Sequence, residues 1–337
     1  MSRPNENHPA ARQLQNAEAL ATRLFEDIVE PGRFTASVGI GKDQFGLYIG
    51  IRCAPDTPSD VLEGLSRRSN DLRTKIQPIG CVPVFANLVP PRAGMLTGTL
   101  PAEQLRMKPL HCGAEISILN TKSPGSLGCF VTHQQSKHDG FVSCSHVLHP
   151  AMLDHEGRSV TQPVSSNPVA RVVGAAGRHI ALKGLPRGQR PTPADMNVAD
   201  IGFARVSDNS EIPSHPRRYD SSHGALDFTG VDDAAPGEEV FKVGRSGLSW
   251  GAVDQVFVHT PVGVDPHGPN PLLYWFNTVF TIRSSDQRPF SQQGDSGAIV
   301  VRKSDHNALG MIFAVTPTLA YAFPLEAGLT EADCRLL

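Results

Sequence analysis

A mainly β protein with a small α+β module at its N-terminus is what this sequence predicts. Three observations carry the expectation. Eleven short apolar runs, each bounded by turn residues, recur after about residue 110 with no strong helical period between them. Glycine and proline are plentiful, at 31 and 28 residues, whereas aromatics make up only 6% of the chain. That composition suits many turns and short strands rather than a helical bundle. The one sustained helical period lies at the start of the chain.

In order, Leu14, Ala17, Ala21, Leu24 and Ile28 share one face of a 3.6-residue period over residues 9–29, and Pro31-Gly32 stops it. This predicts an N-terminal helix within residues 1–32. Ala36–Gly41 and Leu47–Cys53 read as a hairpin around Lys42–Gly46. Thr57-Pro58 offers a helix start, with Leu62, Leu65, Leu72 and Ile76 on the apolar side. Cys81–Val89 then reads as a strand ending at Pro90-Pro91, so residues 33–92 form a small β-β-α-β module. The eleven later runs are Ala114–Leu119, Gly128–Thr132, Gly140–Cys144, Val169–Val173, Asp200–Val206, Glu239–Val243, Gly251–His259, Tyr274–Ile282, Ala298–Val301, Leu309–Ala314 and Leu319–Phe323. They predict an all-β barrel or sandwich. Residues 183–193 and 207–236 read as surface loops.

A net charge of −2 gives no electrostatic reason to expect nucleic acid or an anionic membrane as partner. No stretch approaches the ~18 apolar residues of a membrane span, and the first residues lack a secretory h-region. The six cysteines show no C-x-x-C pair, so they read as free thiols in a reducing cytoplasm. Cys144, His146 and His149, or His111 with Cys112, match no zinc spacing; no metal and no cofactor are expected.

Chemistry concentrates in three segments. Gln293-Gly294-Asp295-Ser296-Gly297 precedes the apolar run Ala298–Val301. A serine flanked by glycines can be presented as a nucleophile, with the N–H groups of Gly294 and Ser296 turned toward one oxyanion. The same residues also make an ordinary turn in any protein. His146 ends the run Gly140–Cys144, where an imidazole could take the serine proton. Asp200 opens the run Ala199–Ala204 and could hold the imidazole N–H from a buried position. Asp195, in loop-like sequence after Pro193, is the competing acid.

Taken together, the order His146, Asp200, Ser296 with Ala199-Asp200-Ile201-Gly202-Phe203-Ala204 and Gly294-Asp295-Ser296-Gly297 resembles the trypsin/chymotrypsin-like serine peptidase superfamily. Val243-Gly244-Arg245-Ser246-Gly247-Leu248-Ser249-Trp250-Gly251 is similar to a hairpin of its bacterial, cysteine-poor trypsin-like subgroup. The resemblance covers about residues 110–327, and the N-terminal module is similar to the domain that often precedes the peptidase there. It implies two antiparallel six-stranded β-barrels of the chymotrypsin type within residues 105–327, divided near residue 220. It implies a serine endopeptidase acting on a polypeptide through an acyl-enzyme, with His146 as base, Asp200 as orienting acid, Ser296 as nucleophile and Gly294 and Ser296 as the oxyanion hole. Phe290, six residues before the nucleophile, would form the base of the primary pocket, with Phe313-Ala314-Val315 opposite. A small or apolar residue at the cleavage position follows, because Phe290 has no carboxylate to meet a buried cation. The departure at Cys144-Ser145-His146 from the family's Ala-x-His leaves these roles intact. Alternatives are a gated or inactive peptide-binding protein using the same cleft, and a regulatory partner held by the N-terminal module.

Overall fold

The structure is a computed structural model. It describes residues 9–28, 36–53, 63, 73–78, 83–85 and 104–337, except 122, 165, 220–225 and 265–271. Helix α1 (Pro9–Ile28) buries Ala17, Ala21, Leu24 and Phe25 on the face its periodicity marks. Strands β1 (Ala36–Asp43) and β2 (Gly46–Cys53) form the expected hairpin, and β3 (Arg73–Pro78) runs parallel to β2. β4 (Val84–Phe85) is the described part of the run expected over Cys81–Val89. Apart from Glu63, which is helical, the helix expected after Thr57 lies outside the described residues.

The next strands are β5 (Glu115–Ile118), β6 (Gly125–Ser126), β7 (Phe130–His133), β8 (Asp139–Ser143), β9 (Ser159–Gln162), β10 (Arg171–His179), β11 (Gly184–Pro186) and β12 (Gly202–Val206). After them come β13 (Gly230–Val231), β14 (Glu239–Gly244), β15 (Gly247–Gly263), β16 (Leu272–Ser284), β17 (Ile299–Arg302), β18 (Asn307–Val315), β19 (Leu319–Pro324) and β20 (Cys334–Leu336). Two further short helices are α2 (Ser145–Leu148) and α3 (Leu325–Glu331). All eleven predicted runs coincide with strands in this set.

The strands form two units. An eight-stranded sheet has the order β20-β7-β8-β12-β10-β9-β5-β6. A twelve-stranded sheet has the path β11-β16-β19-β18-β17-β14-β15-β1-β2-β3, with β13 and β4 attached to β18. Both are wider than six strands because chain from elsewhere extends their edges. β20 returns from the C-terminus to pair with β7, and the hairpin of the 33–92 segment continues the second sheet from β15, with Val38 opposite His259. The segment read as a module of its own thus has its described strands inside the second sheet.

Successive side chains of a strand point to opposite faces, and both faces of the second sheet are covered. Ile299, Val301, Met311 and Phe313 join the core shared with Ile116, Phe141 and Val173 of the first sheet. Ala298, Val300, Leu309 and Ile312 join a second core beneath Ala21, Leu24 and Phe25 of α1. This double burial explains why these runs are apolar throughout instead of alternating. The stretch 207–236 is not a loose loop: Glu211 is buried on Arg171, whose Nη2 donates to Oε2 at 2.6 Å, and Tyr219 is fully buried.

Candidate active site

The turn that carries Ser296 joins β16 to β17. Its backbone is left-handed at Gly294 (φ +85°) and Gly297 (φ +98°). A Cβ on Gly297 would stand 2.1 Å from the Ser126 carbonyl oxygen, and one on Gly294 would stand 2.2 Å from Arg245 Cδ. Conformation and space both demand glycine at these two positions. The turn is fastened to the first sheet: Ser126 N–H donates to Ser296 O at 2.7 Å, and Ser126 Oγ donates to Gly294 O at 2.8 Å.

Beneath it lies a buried ion pair. Lys242 Nζ donates to Asp295 Oδ2 at 2.7 Å, with neither side chain exposed. Each charge has further partners: Asp295 accepts from the N–H groups of Ser246 (2.9 Å) and Gln292 (2.7 Å), and Lys242 donates to Ser246 Oγ (2.7 Å). A buried pair is tolerated when its remaining hydrogen-bonding capacity is met in this way. Asp295 is thereby committed below the turn, and no sequence motif names Lys242 as its partner. The only cue was a lysine inside the otherwise apolar stretch Val240–Val243.

His146 stands on α2, the single turn that follows β8. Its Nε2 lies 2.9 Å from Ser296 Oγ, and its Nδ1–H donates to Asp200 Oδ2. Asp200 Oδ1 accepts the His146 backbone N–H at 3.2 Å, so one carboxylate holds both ring and main chain. Asp200 precedes β12 and is fully buried. Its loop is tied to the second sheet by Asn197, whose Nδ2 donates to Trp275 O at 3.0 Å and whose N–H donates to the same oxygen at 2.7 Å. Asp195 is elsewhere, partly exposed, accepting from Thr192 N–H at 2.8 Å and Thr192 Oγ1 at 2.6 Å. Those bonds hold its carboxyl below the usual range.

His146, Asp200 and Ser296 therefore form one hydrogen-bonded chain where the two sheets meet. Among the described residues, neither the Gly294 nor the Ser296 N–H donates within the protein. Phe290 is buried and packs beside Gly251 in the core that includes Ile282, Ala298 and Ala320. The Phe313 ring lies in the other core, 4.6 Å from Phe276 and 5.8 Å from Phe323. Ala314 is the position that pairs with β4, opposite Phe85.

Among the described residues, two clusters carry metal-ligating side chains, Cys144/His146/Asp200 and His149/Asp154/His179. Neither offers a free imidazole lone pair on its central histidine. His146 is engaged at both nitrogens; His149 Nδ1 accepts the His155 N–H at 2.9 Å, and its Nε2 faces Gly177 O at 3.1 Å. Burial also pushes the Cys144 thiol well up from its ordinary value.

Two β-sheet units with this chain of side chains between them make a mainly β protein. Solved structures to which it is similar include Thermobifida fusca protease A (17% identity, TM-score 0.44), Nocardiopsis protease (16%, 0.43) and Cellulomonas bogoriensis chymotrypsin (14%, 0.41). Each alignment covers 67% of this chain and 97% of the other. No protein-family model matches the chain, and no curated protein matches it.

Proposed function

We propose that the protein is a serine endopeptidase. The observation that carries this reading is the chain Ser296 Oγ, His146 Nε2, His146 Nδ1, Asp200 Oδ2, with 2.9 Å at the serine end. With the ring proton on Nδ1 toward Asp200, Nε2 is the acceptor for the Ser296 hydroxyl proton. Ser296 Oγ then bonds to the carbonyl carbon of the substrate while the N–H groups of Gly294 and Ser296 receive the oxyanion. His146 returns its proton to the leaving amine, and water repeats the sequence on the acyl-enzyme. Asp200 stabilises the transient imidazolium without taking a proton.

A polypeptide is favoured as substrate because the end of β18 already pairs with an extended segment, β4, on the side away from β19, and strand addition suits an extended chain. The test is labelling by a fluorophosphonate probe together with hydrolysis of an unfolded protein such as casein. Ser296→Ala should lose both, with a fall of about 10⁴-fold or more in kcat. Hydrolysis by Ser296→Ala at the unmodified rate sinks the assignment. The complete burial of Ser296 favours a gated form of this enzyme over a permanently open one.

A further inference from the structure

Ser296 has no exposed surface and His146 is 3% exposed. A hydroxyl that attacks a polypeptide has to be reachable by one, so the cover over this pair matters. Among the described residues, the Phe85 ring packs against the His146 ring. The Phe85 ring is fully buried, with its centroid 4.6 Å from the His146 ring, 5.7 Å from Tyr274 and 6.5 Å from Phe313.

The main chain of this segment is placed as a bound peptide would be. β4 runs antiparallel to the end of β18, with Phe85 opposite Ala314 and Val84 opposite Val315. On its other side, Val84 pairs in parallel with Gly263, whose N–H donates to Pro83 O at 2.9 Å. β18 forms a hairpin with β17, which leads directly from the Ser296 turn. Addition of an extended segment to a strand edge, with side chains entering alternate pockets, is a general mode of peptide recognition. Here the segment comes from far upstream in the same chain.

We infer that Pro83–Phe85 is the chain's own occupant of the groove by which a polypeptide reaches Ser296, and that this groove takes an extended peptide with an aromatic side chain against His146. The inference rests on the endopeptidase reading above. Such a segment opens without unfolding the sheets, because local openings cost far less than global unfolding. Substrate and segment then compete for one strand edge, and the uncovered fraction of molecules sets the apparent rate.

The experiment measures the second-order rate of fluorophosphonate labelling on the full-length protein. Phe85→Ala should label faster than the unmodified protein by about tenfold or more, the factor by which a covered site lowers its competent fraction. Near-UV circular dichroism checks that the variant is folded, and Ser296→Ala checks that the label sits on Ser296. Equal rates for the unmodified protein and a folded Phe85→Ala overturn the occlusion and leave the endopeptidase reading standing. No labelling of either overturns both.

A second variant acts in the opposite direction. Val84→Cys with Val315→Cys joins positions that face each other in the register. Once the cross-link is verified by mass, the oxidised protein should label at least about tenfold more slowly than after dithiothreitol. Identical rates before and after reduction overturn the inference. With a peptide library, Phe85→Ala should enrich aromatic residues at one position on the N-terminal side of the cut. A flat preference there removes the aromatic part of the assignment.

Discussion

Asp200 and Asp195 show how much a single side chain's surroundings decide. Both are aspartates in the same loop, yet one is fully buried on His146 and the other caps a surface turn at Thr192. Asp200→Asn should lower kcat about 10⁴-fold by leaving His146 in the wrong tautomer, whereas Asp195→Asn should change kcat by less than about twofold. Steady-state kinetics on both variants checks this, and a reversed pair of results would make Asp195 the orienting acid. Lys242 is the other residue whose setting outweighs its type. Lys242→Met leaves the Asp295 carboxylate buried without its counter-charge and should cost about 3–5 kcal/mol of stability in urea unfolding. Ser296, His146 and Asp200, which the structure joins by hydrogen bonds, each sit at the boundary of an apolar run in the sequence. Lys242 was hidden because its strand neighbours made it look like one charge on an ordinary hairpin. Phe290 was found by counting back six residues, and counting carries no information on which of two cores receives a ring.

Among the elements, the nucleophile turn depends on two left-handed glycines and on the short β6 that fastens it. Gly297→Ala introduces a Cβ at 2.1 Å from Ser126 O at a φ of +98°. It should lower the melting temperature by several degrees, in keeping with a local cost of about 1–3 kcal/mol, and should abolish labelling of Ser296. A Gly297→Ala protein with unchanged melting and unchanged labelling would contradict the described turn. The eleven short apolar runs announced their strands, and in β17 and β18 burial on both faces makes the run continuous. β6, β9, β11, β13 and β20 did not stand out. They are two to four residues long and exist because longer neighbours supply their partners, which is tertiary information. The same holds for 207–236, whose polar residues read as solvent-facing until Arg171 and Glu211 are seen paired.

At the scale of the whole molecule, two buried histidines tie stability to pH. Burial lowers both His149 and His259 from the usual 6.5 to about 4; the neighbouring His179 adds to the effect at His149. His259 lies under α1, its ring stacked on Phe25 with centroids 4.8 Å apart. The unfolded chain binds these protons more readily than the folded one. Stability is therefore complete above about pH 6.5 and falls as the pH drops toward 4, by on the order of 1–3 kcal/mol for each group. Urea midpoints measured across pH 4–7 check this. His259→Phe should flatten the curve, and an unmodified protein equally stable at pH 4.5 and 7 would contradict the burial of both rings. The double-sheet architecture was legible from strand spacing and motif order. The merging of the N-terminal hairpin into the second sheet was not, because nothing in residues 36–53 names β15 as its neighbour.

The exchange of end strands between the sheets has a consequence for synthesis. As the chain leaves the ribosome, β1–β3 emerge first, yet their partner β15 is made about two hundred residues later. The first sheet is nearly whole once β12 has emerged, but β7 keeps an open edge until Cys334–Leu336 arrive. A nascent chain halted just before residue 334 already holds Ser296, His146 and Asp200 while presenting that unpaired edge, the kind of surface on which strands of other chains add. Neither sheet can be completed in the order in which its residues are made. The edge of the sheet begun near residue 115 is covered only when Cys334–Leu336 pair with β7.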